Sequence, residues 1–322
     1  MRVLHIGLGD YGYGWCRALS EYGNVKLVGI VDKNDDTFKK VSVPSVPCFT
    51  DLQTAISSVK PDFIMNASPP DAHLPLNRIA FLHNIPVLME KPISEDFSEV
   101  QESLELARKG QKIVVAENYR YMIENMFVKE QVDRRLCNLT GINIMFRKRH
   151  NVNNYHKELR HPMLIDVGIH HLDLLRFFSG KEAVSVYARL NTPEWSWYKG
   201  YSNVKMVAEM EDGVLINYDA SLDSHYPTEW SGTWTFTAEN GVAVYDGNKL
   251  QFDVDGNHLT FEIPKESKVN ADKYRILDDF LAYINGGIVP PTDISDQYKT
   301  AIIAQAAILA HERGSIINIS NL

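Results

Sequence analysis

The chain opens with the stretch Arg2-Val3-Leu4-His5-Ile6-Gly7-Leu8-Gly9-Asp10-Tyr11-Gly12, in which a short apolar run leads into the pattern G-x-G-x-x-G. In a strand–turn–helix context, Gly7 makes the tight turn, Gly9 admits a pyrophosphate close to the backbone, and Gly12 lets the helix pack on its strand. A second apolar run ends in Asp32, twenty residues past Gly12, where a carboxylate accepts hydrogen bonds from ribose hydroxyls. This order predicts a dinucleotide-binding βαβ unit, with a glycine turn that holds no ligand as the alternative.

The first third of the chain alternates between short β-branched runs and helix-like stretches. The predicted strands are Val3–Ile6, Lys26–Val31, Phe63–Asn66, Val87–Met89 and Ile113–Ala116, and the helices between them include Asp51–Val59, His73–His83 and Ser94–Lys109. Ser94 is the expected N-cap of the last of these helices and Gly110 its C-terminal stop. Such alternation is typical of a parallel sheet that helices cover on both faces.

Beyond residue 120 the pattern changes to strands separated by turn residues. Four acid–Gly or Asn–Gly turns between residues 183 and 261 predict hairpins and an antiparallel sheet. The helical patterns of this half are Ile123–Arg135, a stretch through Phe178, Lys273–Asn285 and Asp296–Arg313, the last capped by Gly314. We therefore expect an α/β protein with a doubly wound Rossmann domain (1–119) and a C-terminal α+β domain with a large, mostly antiparallel sheet (120–322). The final helix is expected to pack back on the first domain.

Composition excludes several classes of partner. The 322 residues carry a formal net charge of -8 and no basic patch, which argues against nucleic acid and against a membrane surface. The apolar run from Ala301 to Ala310 is too short to cross a bilayer, and no secretory leader is expected. Cys16, Cys48 and Cys137 are odd in number and widely spaced, so we expect buried free thiols in a cytoplasmic protein and no metal site.

Glu90-Lys91-Pro92 directly follows the predicted strand Val87–Met89. Ligands of open α/β sheets bind at the carboxyl ends of strands, where a lysine can stabilise negative charge on a substrate oxygen. Pro92 restricts the backbone of Lys91 and favours a defined direction for its ammonium group, with a cis bond as one way to achieve this. From the tripeptide alone, a solvated lysine before a turn is an equal alternative.

Asp166, His170 and Asp173 lie four and three residues apart, which places them on one stripe of a predicted helix. Histidine exchanges protons near neutral pH, so His170 suits a general base or acid, with Asp166 one turn earlier to orient it. Structural histidines behind an Asp166 N-cap are the alternative. His161, in the preceding loop, is expected to be an exposed loop residue, with contact to the substrate as the alternative.

The motifs together resemble the glucose–fructose oxidoreductase / inositol dehydrogenase / MocA-like (Gfo/Idh/MocA) family over essentially the whole chain. The resemblance rests on the glycine turn with Asp32, the loop Ser68-Pro69-Pro70…His73, the tripeptide at Lys91, Glu117-Asn118-Tyr119-Arg120, and Asp166-x-Gly168-x-His170-x-x-Asp173. It implies an NAD(P)-dependent oxidoreductase that acts on a secondary alcohol of a sugar, cyclitol or related polyol. It also implies a homo-oligomer, a dimer or tetramer, formed through the C-terminal sheet.

The resemblance further implies roles for individual residues. Lys91, Asp166 and His170 are the expected catalytic residues, and Tyr119 and Arg120 join them in binding substrate. The expected cofactor-binding residues are Gly7, Gly9, Asp10, Tyr11, Gly12, Asp32, Lys33, Ser68, Pro69, His73, Glu90, Lys91 and Asn118. Asp32 favours NAD because its carboxylate repels a 2′-phosphate, whereas Lys33 leaves NADP as an alternative.

The chain departs from the family pattern just before the Asp166 segment. Many members have a glycine-rich stretch where this chain has Arg160-His161-Pro162-Met163, so the identity of the substrate stays open. Two other functions are also left open: a dinucleotide-binding sensor without turnover, and a redox-assisted glycosidase. Retention of the acid–base residues argues against the sensor.

Overall fold

A computed structural model describes residues 1–40, 45–151 and 155–322, which form two compact units. Unit 1 comprises Met1–Asn118 and Lys268–Tyr298, and unit 2 comprises Tyr119–Ser267 and Lys299–Leu322. The sequence assigned everything after residue 119 to one second domain, whereas here the segment Lys268–Tyr298 groups with the first unit.

Unit 1 is built on a six-stranded sheet in which every neighbouring pair of strands is parallel. Its strands are β1 Arg2–Ile6, β2 Lys26–Val31, β3 Cys48–Phe49, β4 Phe63–Asn66, β5 Val87–Met89 and β6 Ile113–Val115. The order β3-β2-β1-β4-β5-β6 is the doubly wound Rossmann order, whose ligand crevice lies at the carboxyl ends of the neighbouring strands β1 and β4, where the strand order reverses. The α/β fold class and this parallel sheet are confirmed; the two-residue strand β3 was not predicted.

The helices of unit 1 lie between these strands and in the returning segment. They are α1 Asp10–Glu21, α2 Leu52–Val59, α3 Pro70–Leu82, α4 Phe97–Arg108, α7 Ala271–Ile284 and the first residues of α8 Ile294–Arg313. Ser94 is not the N-cap of α4. The carboxylate of Asp96 accepts the Ser98 N–H instead, and Ser94 accepts the N–H of Asp96. Gly110 follows α4 with a φ of 102°, in keeping with its predicted role as a stop.

Unit 2 contains a nine-stranded sheet of order β14-β13-β12-β11-β7-β10-β9-β8-β15. Within the described residues β7 and β10 pair in parallel and the other neighbours pair antiparallel, which confirms the mostly antiparallel sheet. The strands are β7 Leu139–Arg147, β8 Ala183–Asn191, β9 Asn203–Met210, β10 Leu215–Ser221, β11 Thr233–Ala238, β12 Gly241–Tyr245, β13 Lys249–Val254, β14 Asn257–Glu262 and β15 Ile317–Asn318.

Side chains alternate across this sheet, so one face packs into the core and the other is open. Ile144, Met206 and Phe236 lie on the buried face, and the core there includes residues of α5 Ile123–Arg135 and α6 Gly168–Ser179. Met145, Val207 and Leu215 on the opposite face are 44%, 50% and 57% exposed. The central strands thus bury an apolar face, which fixes their register, whereas the edge strand β14 is mostly exposed.

The segment before α6 differs from the single α-helix that the sequence predicted. Pro162–Val167 forms a π-helical turn, and α6 begins only at Gly168. The N–H of Gly168 donates to the carbonyl of Met163, five residues earlier. A Cβ at Gly168 would lie 2.3 Å from that carbonyl oxygen and 3.1 Å from the Tyr218 hydroxyl, so only glycine fits here.

Two expectations about single residues need correction. Cys16 is buried, but Cys48 and Cys137 are exposed, so the prediction of three buried thiols is wrong for two of them. All three are free thiols, as expected from their spacing. Among the described helices, none is both long enough and apolar enough to traverse a bilayer.

Candidate active site

The glycine turn after β1 has the geometry that a dinucleotide requires. Gly7 has a φ of 92°, and a Cβ there would lie 2.4 Å from the carbonyl oxygen of Ala67. A Cβ on Gly12 would lie 2.3 Å from the carbonyl oxygen of Gly7. Nothing lies within 4 Å of the Cβ position of Gly9, so the backbone is open to a ligand at this residue alone of the three.

Helix α1 begins at this open position. Gly9 is its N-cap and supplies no side-chain hydrogen bond, so the first backbone N–H groups point outward with the positive end of the helix dipole. Asp10 and Tyr11 follow in the first turn, and Tyr11 is largely exposed. An uncapped helix N-terminus beside an open glycine fits the pyrophosphate of a dinucleotide.

Asp32 ends β2 beside the turn and has a structural role as well. Its Oδ2 accepts the N–H of Leu8, 2.7 Å away, and its Oδ1 accepts the N–H of Asn34 at 2.9 Å. The Asp32 carboxylate therefore stabilises the glycine turn by a hydrogen bond, and its side chain is half-buried at the end of β2. Lys33 next to it is exposed.

The loop after β4 is held by His73, which is buried. Its Nε2 lies 2.9 Å from the carbonyl oxygen of Ser68, and its Nδ1 lies 3.0 Å from that of Pro92. Burial lowers the pKa of His73. His73 thus ties this loop, including the exposed Pro69, to the segment that carries Lys91.

Lys91 lies at the carboxyl end of β5, in a cis peptide bond with Pro92. Its Nζ is 5.7 Å from the centre of the Tyr11 ring in the first turn of α1. The lysine ammonium therefore lies at the same sheet edge as the glycine turn, as the sequence predicted from the strand order.

Glu90 is anchored by a residue that sequence reasoning missed. The indole N–H of Trp15 in α1 donates to Glu90 Oε1, and the Lys91 N–H donates to Oε2 at 3.1 Å. Desolvation raises the pKa of Glu90, the charge of Lys91 opposes this, and the charge of Glu117 adds to it. A buried indole needs a hydrogen-bond acceptor, and this general requirement is the one signal that could have drawn attention to Trp15.

Asn118 follows β6 and contacts the returning segment of unit 1. Its Nδ2 donates to Asp272 Oδ2 in the first turn of α7 at 2.8 Å. No sequence signal connects these two residues, which lie 154 positions apart.

In unit 2, the π-helical turn and α6 carry Asp166 and His170. Their exposed fractions are 8% and 7%. Asp166 Oδ2 lies 3.5 Å from Nε2 of His156, a residue from the turn Tyr155–Glu158 that the sequence did not single out. Burial raises the pKa of Tyr198, and the charge of Asp166 contributes, so that hydroxyl is also near the carboxylate.

Tyr119 and Arg120 contact α6 directly. The Tyr119 ring lies flat on the His170 imidazole, with centroids 4.0 Å apart and planes 6° from parallel. Arg120 grips Asp173 with two hydrogen bonds, Nε–Oδ2 at 2.6 Å and a second terminal N–Oδ1 at 2.7 Å. Asp173 therefore lies in the protein interior, although the sequence grouped it with the functional stripe.

His171 and His161 are structural by their contacts. His171 Nδ1 lies 2.8 Å from the Tyr218 hydroxyl and its Nε2 lies 2.9 Å from the Trp230 carbonyl oxygen, and burial lowers its pKa to about 4. His161 is not an exposed loop residue: it is buried and stacks on Tyr201, and burial lowers its pKa to about 4. Among the described residues, no group of three or more potential ligands is placed to hold a metal ion.

Two family models match the chain. Residues 1–119 match the model of an oxidoreductase family with an NAD-binding Rossmann fold, and residues 133–244 match that of the GFO/IDH/MocA C-terminal domain. Among curated relatives, the inositol 2-dehydrogenase of Arthrobacter sp. (strain FB24) is 25% identical over 328 residues, which cover 98% of this chain and 94% of the relative.

Solved structures share the fold over its full length. An oxidoreductase from Agrobacterium radiobacter, in complex with NAD+, L-tartaric acid and magnesium, has a TM-score of 0.91 at 18% identity and covers 100% of this chain and 99% of its own. Levoglucosan dehydrogenase, in complex with NADH and levoglucosan, has a TM-score of 0.84 at 17% identity and covers 99% of each chain.

Proposed function

The chain belongs to the Gfo/Idh/MocA family of oxidoreductases, whose first domain is an NAD-binding Rossmann fold, and we propose that it oxidises or reduces a secondary alcohol of a sugar, cyclitol or related polyol. The observation that carries this proposal is the position of Lys91. Its ammonium group lies 5.7 Å from the Tyr11 ring, at the edge where α1 presents its N–H groups. A cation there can stabilise the oxygen of a substrate next to a bound dinucleotide.

The nucleotide supplies the acceptor or donor of a hydride when it is bound. Gly9 and the first N–H groups of α1 would hold its pyrophosphate, and Asp32 would accept hydrogen bonds from its adenosine ribose. The carboxylate of Asp32 repels a 2′-phosphate, which supports NAD over NADP; Lys33 is the residue that would favour NADP.

In this proposal, side chains of the protein accept the proton of the substrate hydroxyl and stabilise charge on its oxygen. In the oxidation direction His170 would accept the proton of the substrate hydroxyl as the carbon that bears it gives up a hydride. Lys91 donates a hydrogen bond to the same oxygen and stabilises the negative charge that develops on it. Asp166 orients the polar groups around its carboxylate and stabilises the imidazolium that His170 becomes when it accepts the proton.

The substrate class is proposed from the chemistry of these groups and from the named relatives. Inositol 2-dehydrogenase and levoglucosan dehydrogenase are named for a cyclitol and a sugar anhydride. The segment Arg160–Met163 replaces a glycine-rich stretch of the family and opens the π-helical turn, so it is where we expect the substrate preference of this chain to be set.

The test is a panel of cyclitols, aldoses, sugar acids and glycosides with NAD+ and NADP+, followed at the nicotinamide absorbance. We expect reduction of NAD+ by at least one polyol, and a loss of kcat of about a hundredfold or more in Lys91→Ala and His170→Ala. His170→Ala should bind NADH as the wild type does, and Lys91→Ala, which also removes an expected cofactor contact, is compared with it at saturating nucleotide. Lys109→Ala, which removes an exposed lysine after α4, is the matched control and should be fully active.

Two outcomes would overturn the proposal in favour of another function. If the wild type binds NADH but no substrate on the panel exchanges a hydride with it, the chain is a dinucleotide-binding sensor. If glycosides are cleaved without net formation of NADH, it is a redox-assisted glycosidase.

A further inference from the structure

We propose that Tyr119 is a positioning residue for His170: its ring fixes the plane of the imidazole and stabilises the imidazolium that forms when His170 takes a proton from the substrate. This inference rests on the proposed role of His170 as the proton acceptor. It changes the role of Tyr119, which the family resemblance had assigned to substrate binding.

The contact between the two rings is close and flat. Their centroids lie 4.0 Å apart, the planes differ by 6°, and the two residues are 8% and 7% exposed. The face of an aromatic ring carries negative potential and attracts a cation, and the attraction strengthens when water is excluded. A protonated imidazole therefore gains more from this contact than a neutral one, so the stack favours the charged state of His170.

The backbone of Tyr119 is anchored by a hydrogen bond, which helps to keep its ring on the imidazole. Asn125, at the start of α5, donates from its Nδ2 to the Tyr119 carbonyl oxygen at 2.9 Å. The guanidinium of the next residue, Arg120, donates two hydrogen bonds to the Asp173 carboxylate, from Nε to Oδ2 at 2.6 Å and from Nη2 to Oδ1 at 2.7 Å. Consecutive residues thus engage positions 170 and 173, which are neighbours on one face of α6.

The anchor on Asp173 continues through further hydrogen bonds within unit 2. Thr300 Oγ1 donates to Asp173 Oδ1 at 3.0 Å, and Arg176 donates to the same Thr300 hydroxyl at 2.8 Å. Arg176 in turn pairs with Glu182 at 2.7 Å. Charge-assisted hydrogen bonds of this kind are short and directional, so they fix both the helix and the turn that carries Tyr119.

The ring face that lies on His170 cannot also lie on a sugar ring. Tyr119 therefore contributes to proton transfer through the imidazole and not through contact of that face with the substrate. Tyrosine is suited to this because its large, rigid ring has few torsions to order.

The π-helical turn and α6 carry three further titratable groups besides His170, namely Asp166, His171 and Asp173. Their own partners are His156 on the turn Tyr155–Glu158, Tyr218 on β10 and Arg120 on the turn after β6. Arg120 balances the charge of Asp173, and His171 is neutral near pH 7 because burial lowers its pKa to about 4. None of these groups is altered by a change at residue 119, so a comparison of variants there isolates the stack.

The first test is an NMR titration of 13C-labelled histidines, with His170 assigned by the signal lost in His170→Gln. Tyr119→Leu removes the aromatic face at similar bulk, and we expect it to lower the pKa of His170 by about 0.5 to 1.5 units. Tyr119→Phe keeps the face and should leave that pKa near the wild-type value. An unchanged pKa in Tyr119→Leu, a raised one, or an equal fall in both variants would overturn the proposal.

The second test keeps the shape of the ring. Fluorinated phenylalanines placed at position 119 withdraw electron density from the ring face stepwise, so the pKa of His170 should fall with each added fluorine relative to Tyr119→Phe. A pKa that does not follow fluorination would contradict the proposal even if Tyr119→Leu fails to fold.

The kinetic test connects the stack to turnover. The acid limb of the pH profile of kcat/KM for polyol oxidation should move to lower pH in Tyr119→Leu but not in Tyr119→Phe, with an unchanged KM for NAD+. Since the NMR titration requires no turnover, a shifted pKa in a protein that oxidises no polyol supports the stack and contradicts the proposed function. An acid limb that moves equally in both variants would contradict the stack alone.

Discussion

The glycine turn of unit 1 and the π-helical turn with α6 of unit 2 prepare for chemistry by different means. At the glycine turn the site is formed by the backbone. Gly7 and Gly12 allow neighbouring backbone segments to pack closely, and Gly9 leaves the N-terminus of α1 without a side-chain cap. On α6 the site is formed by side chains, and each contacts a residue that is distant in sequence. His170 stacks on Tyr119, and Asp173 pairs with Arg120. A backbone site is encoded locally, whereas a side-chain site is encoded by contacts across the fold.

The largest effect is expected where a buried charge loses its partner. Arg120→Met removes the bidentate partner of the buried Asp173 carboxylate and leaves it with the Thr300 hydroxyl and Arg176, 3.8 Å away, so it should lower the free energy of unfolding of the protein by about 3 kcal/mol. The matched control is Arg78→Met, which breaks the exposed pair with Glu102, whose side chains are 52% and 43% exposed, and should cost at most about 1 kcal/mol.

Denaturant unfolding measures both variants. The double change Arg120→Met/Asp173→Leu should recover most of the loss, because no uncompensated charge remains. Equal costs for Arg120→Met and Arg78→Met would mean that the interior of unit 2 does not depend on this pair.

The two regions also contain buried histidines that should respond to pH in the same way but to mutation differently. Burial lowers the pKa of His5, on β1, and of His171 to about 4. Their contribution to stability is complete above pH 6.5 and is lost as pH falls toward 4, by up to about 3 kcal/mol each, because the unfolded chain binds the proton first. His5→Leu and His171→Leu should each flatten this acid limb of stability.

At pH 7 the two variants should separate. His171 contacts the Tyr218 hydroxyl and the Trp230 carbonyl, so His171→Leu should cost about 1 to 3 kcal/mol. Neither ring nitrogen of His5 makes a hydrogen bond of normal geometry within the described residues, so His5→Leu should be nearly neutral. Unfolding by denaturant at pH 7 and pH 5 checks both; equal losses at pH 7 would contradict this distinction.

A smaller effect is expected at the glycine turn, and on binding more than on folding. A Cβ at Gly12 meets the Gly7 carbonyl oxygen at 2.3 Å, so Gly12→Ala should displace the turn and weaken NADH binding about tenfold or more, which is about 1.4 kcal/mol. Gly14→Ala, two residues on in α1, adds a Cβ with nothing within 4 Å and is the control. Calorimetric titration with NADH measures both, and similar affinities would show that close packing at Gly12 is dispensable.

The smallest effect on the fold is expected on the open face of the nine-stranded sheet. We propose that this face joins copies of the chain, because Val207 and Leu215 are 50% and 57% exposed there on neighbouring strands. The pair of changes Val207→Lys and Leu215→Lys should leave the melting temperature nearly unchanged and produce a monomer in light scattering. A monomeric wild type, or a variant with the wild-type mass, would refute this interface.

The sequence predicted the parts of the molecule that depend on local pattern. The strand, the glycine turn, the helix and Asp32 all lie within one short stretch of sequence, and the Lys91 tripeptide directly follows its strand. These local patterns were sufficient to predict the Rossmann sheet and the edge of it that binds ligand. The hairpins of unit 2 were predicted for the same reason, since Gly241 and Gly256 mark turns that need a positive φ.

What the sequence did not predict depends on residues far apart in the chain. Asp173 shared a helical stripe with Asp166 and His170, but its partner Arg120 lies 53 positions away, and this contact takes it into the interior. The sequence did not predict the π-helical turn for another reason. Its apolar residues follow a pattern close to that of an α-helix, and the difference lies in one i to i+5 hydrogen bond at Gly168, which approaches the Met163 carbonyl closely. His156 and Trp15 gave no motif, because one hydrogen bond or ion pair leaves no periodic signal.

The central claim is that Lys91 and His170 serve the transfer of a hydride between a polyol and nicotinamide. The most direct measurement uses a polyol that the panel shows to be oxidised, deuterated at the reacting carbon, in a single turnover with NAD+ and mass spectrometry of the nucleotide. The account predicts deuterium at C4 of NADH with the wild type, and almost none with Lys91→Ala or His170→Ala at equal occupancy by nucleotide. Deuterium transfer at the wild-type rate in those two variants, or none in the wild type while the polyol is consumed, would contradict it.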